Sequence, residues 1–229
     1  MSWKDKHKSE INTLSLRAFY SEMIKLGGGL VLYLRFRPRV YRISDNVPKR
    51  LRGGYLIAAN HRSMRDPIIL FLVFWYRRLY FPAAKELFEK PINRFFFHNM
   101  NCIPIDRSAH NIRAIRRMCD LLERNRALVI FPEGAINRTD RELLEFKKGT
   151  VYMANKTSKP VLPVYIGERK KWWQSTPVIV GEPIDVAVIS DCCAKGEGID
   201  KACEYLRDRE VYLAEYCAKI CSAREKGRL

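Results

Sequence analysis

No long uninterrupted apolar run occurs in this 229-residue sequence. A helix that crosses a bilayer needs about 20 consecutive apolar residues. The best candidate, residues 11–36, is interrupted by Glu22 and Lys25 and weakened by Gly27-Gly28-Gly29. It reads better as an amphipathic helix lying in a membrane interface or packed on the domain. No Cys-x-x-Cys or Cys/His ligand spacing appears among the seven cysteines, which argues against a structural zinc site. An odd number of cysteines also argues against a disulfide framework and for free thiols. Cys217 and Cys221 are read as packing residues. The start, Met1-Ser2-Trp3-Lys4-Asp5-Lys6, lacks the compact apolar segment of a cleaved leader. No Gly-x-Ser-x-Gly elbow surrounds Ser63, so a serine-hydrolase reading is poor. Neither internal repeats nor low-complexity segments stand out.

Acidic residues are comparatively scarce. Asp and Glu total 25 against 42 Lys and Arg, for a net charge of +17. That excess calls for an anionic partner: an acidic lipid surface, a phosphorylated substrate or nucleic acid. The cluster Arg35, Arg37, Arg39, Arg42, Lys49, Arg50 and Arg52 follows the apolar stretch Leu26–Phe36. Basic residues beside an apolar helix suit a membrane interface. They are not interleaved with a stacking surface, and no nucleic-acid motif is recognised, so no nucleic-acid partner is expected. Lys170-Lys171-Trp172-Trp173 reads either as an interfacial aromatic anchor or as ordinary core and rim.

With 47% hydrophobic residues the chain can bury a real core. From Tyr55 onward, short apolar runs alternate with helical segments. The runs are Tyr55–Ala59, Leu79–Ala84, Cys102–Ile105, Ala127–Phe131, Val161–Ile166 and Val178–Val180. Between them lie Pro67–Tyr76, Glu86–Asn99, His110–Asn125 and Gly149–Thr157, and the tail Ile199–Arg224 is again helix-like. Ile112, Ile115, Met118, Cys119 and Leu122 recur at helical steps. This alternation predicts an α/β fold with a mostly parallel central sheet flanked by helices. We divide the chain into an N-terminal amphipathic, membrane-associating helix (1–40) and a catalytic domain (41–229).

The chemistry is concentrated at two strand ends. Asn60-His61-Arg62-Ser63-Met64-Arg65-Asp66 follows the first run, with four residues between His61 and Asp66. A histidine can take a proton near neutral pH, and a carboxylate can fix its tautomer and stabilise its cation. Asp66-Pro67 is also a good helix start, with Asp as N-cap. Phe131-Pro132-Glu133-Gly134 follows a second run. Ligands of open α/β sheets bind outside the carboxyl ends of strands, so the two turns point to one crevice.

Four blocks stand in fixed order: Asn60-His61 to Asp66; Ile103-Pro104-Ile105-Asp106-Arg107; Phe131-Pro132-Glu133-Gly134; and Val161-Leu162-Pro163-Val164. Together they resemble the glycerophospholipid acyltransferase family, most nearly its bacterial-type 1-acylglycerol-3-phosphate acyltransferases, over about residues 40–185. Lys85-Glu86-Leu87-Phe88 and Phe146-Lys147-Lys148-Gly149 look like the family's connecting segments. The resemblance implies an O-acyltransferase that moves a fatty acyl group from acyl-CoA or acyl carrier protein to a lysophospholipid hydroxyl. The acceptor implied first is 1-acyl-sn-glycerol-3-phosphate, giving phosphatidic acid; another lysophospholipid or glycerol-3-phosphate is the alternative. His61 would be the general base and Asp66 its orienting partner, with amides at the following helix start stabilising the oxyanion. Arg107, Glu133 and Gly134 would bind the acceptor, and Lys85 and Arg138 are further candidate phosphate contacts. No metal or cofactor is required beyond the thioester co-substrate. The expected location is the cytoplasmic face of a membrane.

The family usually continues its third block with Thr-Arg-Ser. Here Ala135-Ile136-Asn137 is followed by Arg138, so Ile136 occupies the usual arginine position. The Gly that often opens the second block appears as Asn101. These departures bear on the acceptor head group more than on the reaction, and they leave open a non-catalytic lipid-binding scaffold.

Overall fold

The computed structural model describes residues 29–106, 112–169, 171, 173–193 and 197–225. Of the proposed N-terminal helix, residues 11–28 lie outside the described residues; its end is helical as α1, Gly29–Phe36. The remaining elements are β1 (Pro38–Arg42), β2 (Tyr55–Ala59), α2 (Asp66–Val73), β3 (Leu79–Ala84), a 3-10 turn (Lys85–Phe88), α3 (Pro91–Asn99), β4 (Cys102–Ile105), α4 (Ile112–Glu123), β5 (Ala127–Ile130), α5 (Gly149–Thr157), β6 (Val161–Ile166), β7 (Thr176–Val180), α6 (Val186–Asp191) and α7 (Gly198–Glu225). Residue 40, where the sequence reading divides the chain, falls within β1, which pairs with β7.

The seven strands form one sheet in the order β1-β7-β6-β2-β5-β3-β4. All neighbours run parallel except β6 and β7. Every residue of β5, β6 and β7 is buried. Strands covered on both faces must be apolar on both, which is why they appear as continuous runs rather than alternating ones.

Side chains of β2 separate by parity. Leu56 and Ala58 join a core with Met118, Cys119 and Leu122 of α4, Val151 and Ala154 of α5, and Leu206 of α7. Ile57 and Ala59 point the other way, into a core with Phe36 of α1 and Ile69, Leu70 and Phe74 at α2. This two-sided packing follows from the two-residue period of a strand. β2 is therefore the centre of the molecule, clamped between helical layers.

Helix α1 docks through buried Phe36 and half-buried Leu32. Its other face exposes Leu30, Val31, Tyr33 and Leu34. Helix α3 likewise exposes Ile92, Phe95 and Phe96. Among the described residues, no helix is long and apolar enough to cross a membrane.

Candidate active site

Register brings the two motif-bearing turns together. In the β2–β5 pair Ala58 lies opposite Ile130. Extending that register by three residues sets His61 opposite Glu133. The contact is direct: the His61 backbone N–H donates to Glu133 Oε1 at 2.8 Å. The other oxygen, Oε2, accepts from the Leu144 amide at 2.9 Å. A buried carboxylate thus ties the His61 turn to the loop after β5. On the other side of β2, the Asn60 amide donates to the Ile166 carbonyl at 3.1 Å and accepts from its N–H at 2.7 Å. The end of β2 is consequently fastened to both neighbouring strands.

On this support the His61 ring is buried, stacked on Phe131 with centroids 4.0 Å apart and planes 16° from parallel. Its Nδ1 is 2.9 Å from Asp66 Oδ2. The same oxygen accepts from the amides of Arg62 at 2.8 Å and Ser63 at 2.7 Å. A carboxylate here can only accept, so Nδ1 carries the proton and Nε2 presents a lone pair. That is the tautomer needed to remove a proton from an alcohol.

Two expectations need correcting. Asp66 does not cap α2. It is the first residue of the helix, and Arg65 occupies the cap position without a side-chain bond. The Asp66 carboxylate turns back to His61 and the preceding amides instead. Nor are the first amides of α2 available to an oxyanion. Asp66 donates to the Ser63 carbonyl, Ile68 and Ile69 both donate to the Arg65 carbonyl, and Pro67 has no N–H. The Arg65 amide is bonded to Ser63 Oγ at 3.2 Å. From 61 to 69, Met64 alone has an amide without an acceptor among the described residues.

Gly134 has φ +69, and a Cβ there would meet the Lys147 side chain at 2.6 Å. The backbone conformation favours glycine, while a Cβ would meet only the flexible end of the Lys147 side chain, which can shift. That lysine lies over the turn, a cation near the site that the motifs alone do not single out. Buried Asn137 supports the same loop: its N–H donates to the His61 carbonyl at 2.7 Å, and its side-chain amide donates to the Arg141 carbonyl at 2.8 Å.

The other sequence candidates are dispersed. Lys85, after β3, pairs with Asp106 after β4, and that contact raises its pKa. β3 stands two strands from β2, about 10 Å at ordinary strand spacing. Arg138 is exposed and without a hydrogen bond or ion pair among the described residues. Arg107 lies outside the described residues. No group of three metal-ligating side chains occurs among the described residues.

Sequence motifs also miss Glu210 of α7. It is fully buried, and neither carboxylate oxygen has a hydrogen-bond partner. Burial, and then the charge of Glu133, push its pKa well above the ordinary 4.5. A helical stripe gives the signal: Leu206, Glu210, Leu213 and Cys217 recur at four- and three-residue steps, placing the acid on the apolar face. The folded state holds this proton more tightly than the unfolded chain does. Its contribution to stability is fully present below pH 4.5 and is lost as pH rises through the folded value. Glu210→Gln removes that loss. Thermal unfolding from about pH 5 to 8 should show the variant gaining on wild type by up to about 1.4 kcal/mol per pH unit. A gain that does not vary with pH contradicts this account.

Known proteins bear on this geometry. A 1-acyl-sn-glycerol-3-phosphate acyltransferase of Limnanthes douglasii is 30% identical over 79% of this chain and 63% of its own length. One from Helicobacter pylori is 32% identical over 55% of this chain and 54% of its own. The chain thus spans about three-fifths or less of the length of these curated relatives. The crystal structure of PlsC, the 1-acyl-sn-glycerophosphate (LPA) acyltransferase of Thermotoga maritima, superposes with a TM-score of 0.62. It is 27% identical, covering 90% of this chain and 83% of that one. The Acyltransferase family model matches residues 39–167, more than half the chain and inclusive of both motif turns, and the protein belongs to that family.

Proposed function

We propose that the protein transfers a fatty acyl group from an acyl thioester to the free hydroxyl of a lysophospholipid, with 1-acyl-sn-glycerol-3-phosphate as acceptor and phosphatidic acid as product. The observation that carries this is the His61 Nδ1–Asp66 Oδ2 contact of 2.9 Å at the end of β2. His61 Nε2 takes the hydroxyl proton as the oxygen attacks the thioester carbonyl. The tetrahedral adduct collapses with cleavage of the carbon–sulfur bond. The departing thiolate recovers the proton from the imidazolium. Asp66 holds the ring and balances its transient charge. Glu133 acts by positioning, since both of its oxygens hold backbone amides. Lys85, Lys147, Arg107 and Arg138 supply cationic groups for the acceptor phosphate. The carrier of the acyl group is CoA or acyl carrier protein, and neither metal nor bound cofactor enters the steps.

We place the enzyme peripherally on the cytoplasmic face of a membrane. Support comes from the exposed apolar face of α1 followed by Arg35, Arg37 and Arg39, and from the exposed Ile92, Phe95 and Phe96 of α3. Apolar side chains with flanking cations match an anionic leaflet. Leu30→Ser with Leu34→Ser should weaken binding to phosphatidylglycerol vesicles about tenfold, measured by cosedimentation. Unchanged sedimentation rejects α1 as a contact.

The decisive assay presents purified protein with a panel of lysophospholipids and glycerol-3-phosphate, each with acyl-CoA or acyl carrier protein. Products are identified by mass. Diacylated product from lysophosphatidate supports the reading, and product from another acceptor alone corrects the head group. No product from any pair, with lipid binding retained, leaves a non-catalytic scaffold.

A further inference from the structure

We propose that Glu210 is a positioning residue for the His61 turn, acting through Glu133: while its carboxyl stays neutral the turn is held, and its ionisation opens the segment 143–147 and lets the turn loosen. Packing places it. On α7, Glu210 stands four residues after Leu206 and three before Leu213, and all three are buried on one helix face. The segment 143–147 crosses that face. Leu143 belongs to the core of Leu213, Ala214 and Cys217. Phe146 packs on the core that holds Cys203 and Leu206, and its carbonyl accepts from Cys203 Sγ at 3.6 Å. Leu144 and Glu145, between them, thus pass over the turn of α7 that carries Glu210. The same segment is fastened to the turn after β5. The Leu144 amide donates to Glu133 Oε2 at 2.9 Å, and the Lys147 amide to the Pro132 carbonyl at 2.8 Å. Glu133 Oε1 in turn holds the His61 N–H at 2.8 Å. Glu210, the segment, Glu133 and His61 therefore form one series of contacts.

A carboxyl is a costly occupant of this place. Both its oxygens are buried without a partner, where a leucine would pack at no such cost. As a neutral acid it is tolerated. As an anion it needs water, and the Glu133 carboxylate reinforces burial in disfavouring the charge. Other titratable groups on the elements packed against α7 are engaged, neutral or exposed. Glu142 accepts from Tyr165 of β6, whose hydroxyl burial keeps protonated. Lys148, before α5, pairs with Asp200, and Asp185 caps α6. β7 carries no titratable side chain. Burial pushes up the Cys203 and Cys217 thiols of α7 itself. Glu145, Lys147, Tyr152, Lys156 and Asp191 are exposed. The least disruptive relief for an ionised Glu210 is local. Leu144 is half-buried and Glu145 exposed, so lifting this segment brings water to the acid without breaking the sheet. The same movement parts Leu144 from Glu133 and frees Glu133 to leave the His61 amide.

Amide hydrogen exchange tests this without turnover. In wild type, protection of the His61 and Leu144 amides should fall by up to about tenfold per pH unit between about pH 5 and 8, the slope of one proton lost on opening. In Glu210→Gln and in Glu210→Leu, the second serving should the first fold poorly, protection should not vary with pH. Equally steep loss in these variants overturns the proposal. So does a His61 amide that exchanges only as slowly as the slowest amides of β5, for the acid then weakens the whole fold and positions nothing. A kinetic arm rests on the acyltransferase reading. The ratio of kcat in the non-ionising variant to kcat in wild type should rise about threefold or more from about pH 6 to 9 with KM unchanged, because the titration of His61 is common to both and cancels. A constant ratio overturns the proposal. Should wild type show no turnover with any acceptor, the acyltransferase reading fails on its own and the exchange arm decides.

Discussion

Replacing His61 with alanine should lower kcat/KM for acyl transfer by about 10²–10⁴-fold, the range that a positioned general base contributes. The loss is expected in kcat, because in the proposed mechanism the ring serves the reaction step rather than acceptor binding. The fold should survive. The turn keeps its Glu133 bond, which uses the backbone of residue 61 rather than its ring. The Asn60 bonds to β6 also remain. What disappears is the stacking on Phe131 and one of three donors to Asp66. Initial rates of phosphatidic acid formation, measured beside a thermal melt, separate the two effects. A well-folded His61→Ala protein with near-normal turnover refutes the base assignment.

Asp66 offers the second large effect, and its geometry permits an unusually clean division of labour. All three hydrogen bonds of its carboxylate converge on Oδ2. In Asp66→Asn the amide oxygen can take that place and accept the same three donors. Only the negative charge is lost, so the imidazolium formed as the hydroxyl is deprotonated loses its compensation. A fall in kcat of about 10²-fold is expected with a nearly unchanged melting temperature. Asp66→Ala also strips the acceptor from the Arg62 and Ser63 amides. Leaving such groups unsatisfied costs about 1–3 kcal/mol each when buried. That variant should therefore melt lower as well as turn over more slowly. If Asp66→Asn retains full kcat, the carboxylate merely shapes the turn.

Much of this architecture is legible from the sequence because its central strands are buried on both sides. Ala127–Ile130 and Val161–Ile166 are apolar throughout and announce themselves as runs. β1 does not. Pro-Arg-Val-Tyr-Arg carries two arginines that face outward from an edge strand. α6 has only six residues and too little periodicity to stand out. Helix Glu86–Asn99 divides at Pro91 into a 3-10 turn and α3, a break that proline's missing donor explains.

At the site, close sequence neighbours were readable and distant partners were not. The His61–Asp66 pair spans one tight turn, so its spacing carries the geometry. The direction of the Asp66 carboxylate is different: N-cap and histidine partner look identical in sequence, and three converging donors decide between them. The place of Glu210 beneath residues 143–147 depends on α7 folding back across the loop after β5, which no local pattern records.

Glu133 and Asn60 have a consequence for how a protein of this family can vary. Between them they suspend the proton-abstracting group from the sheet itself, through main-chain atoms that any residue would supply. The turn after Gly134 can then carry an uncharged side chain such as Ile136 while the His61 ring keeps its station. The Asn137 amide still joins this turn to the His61 carbonyl, so side chains at 135 and 136 can differ while that main-chain bond is kept.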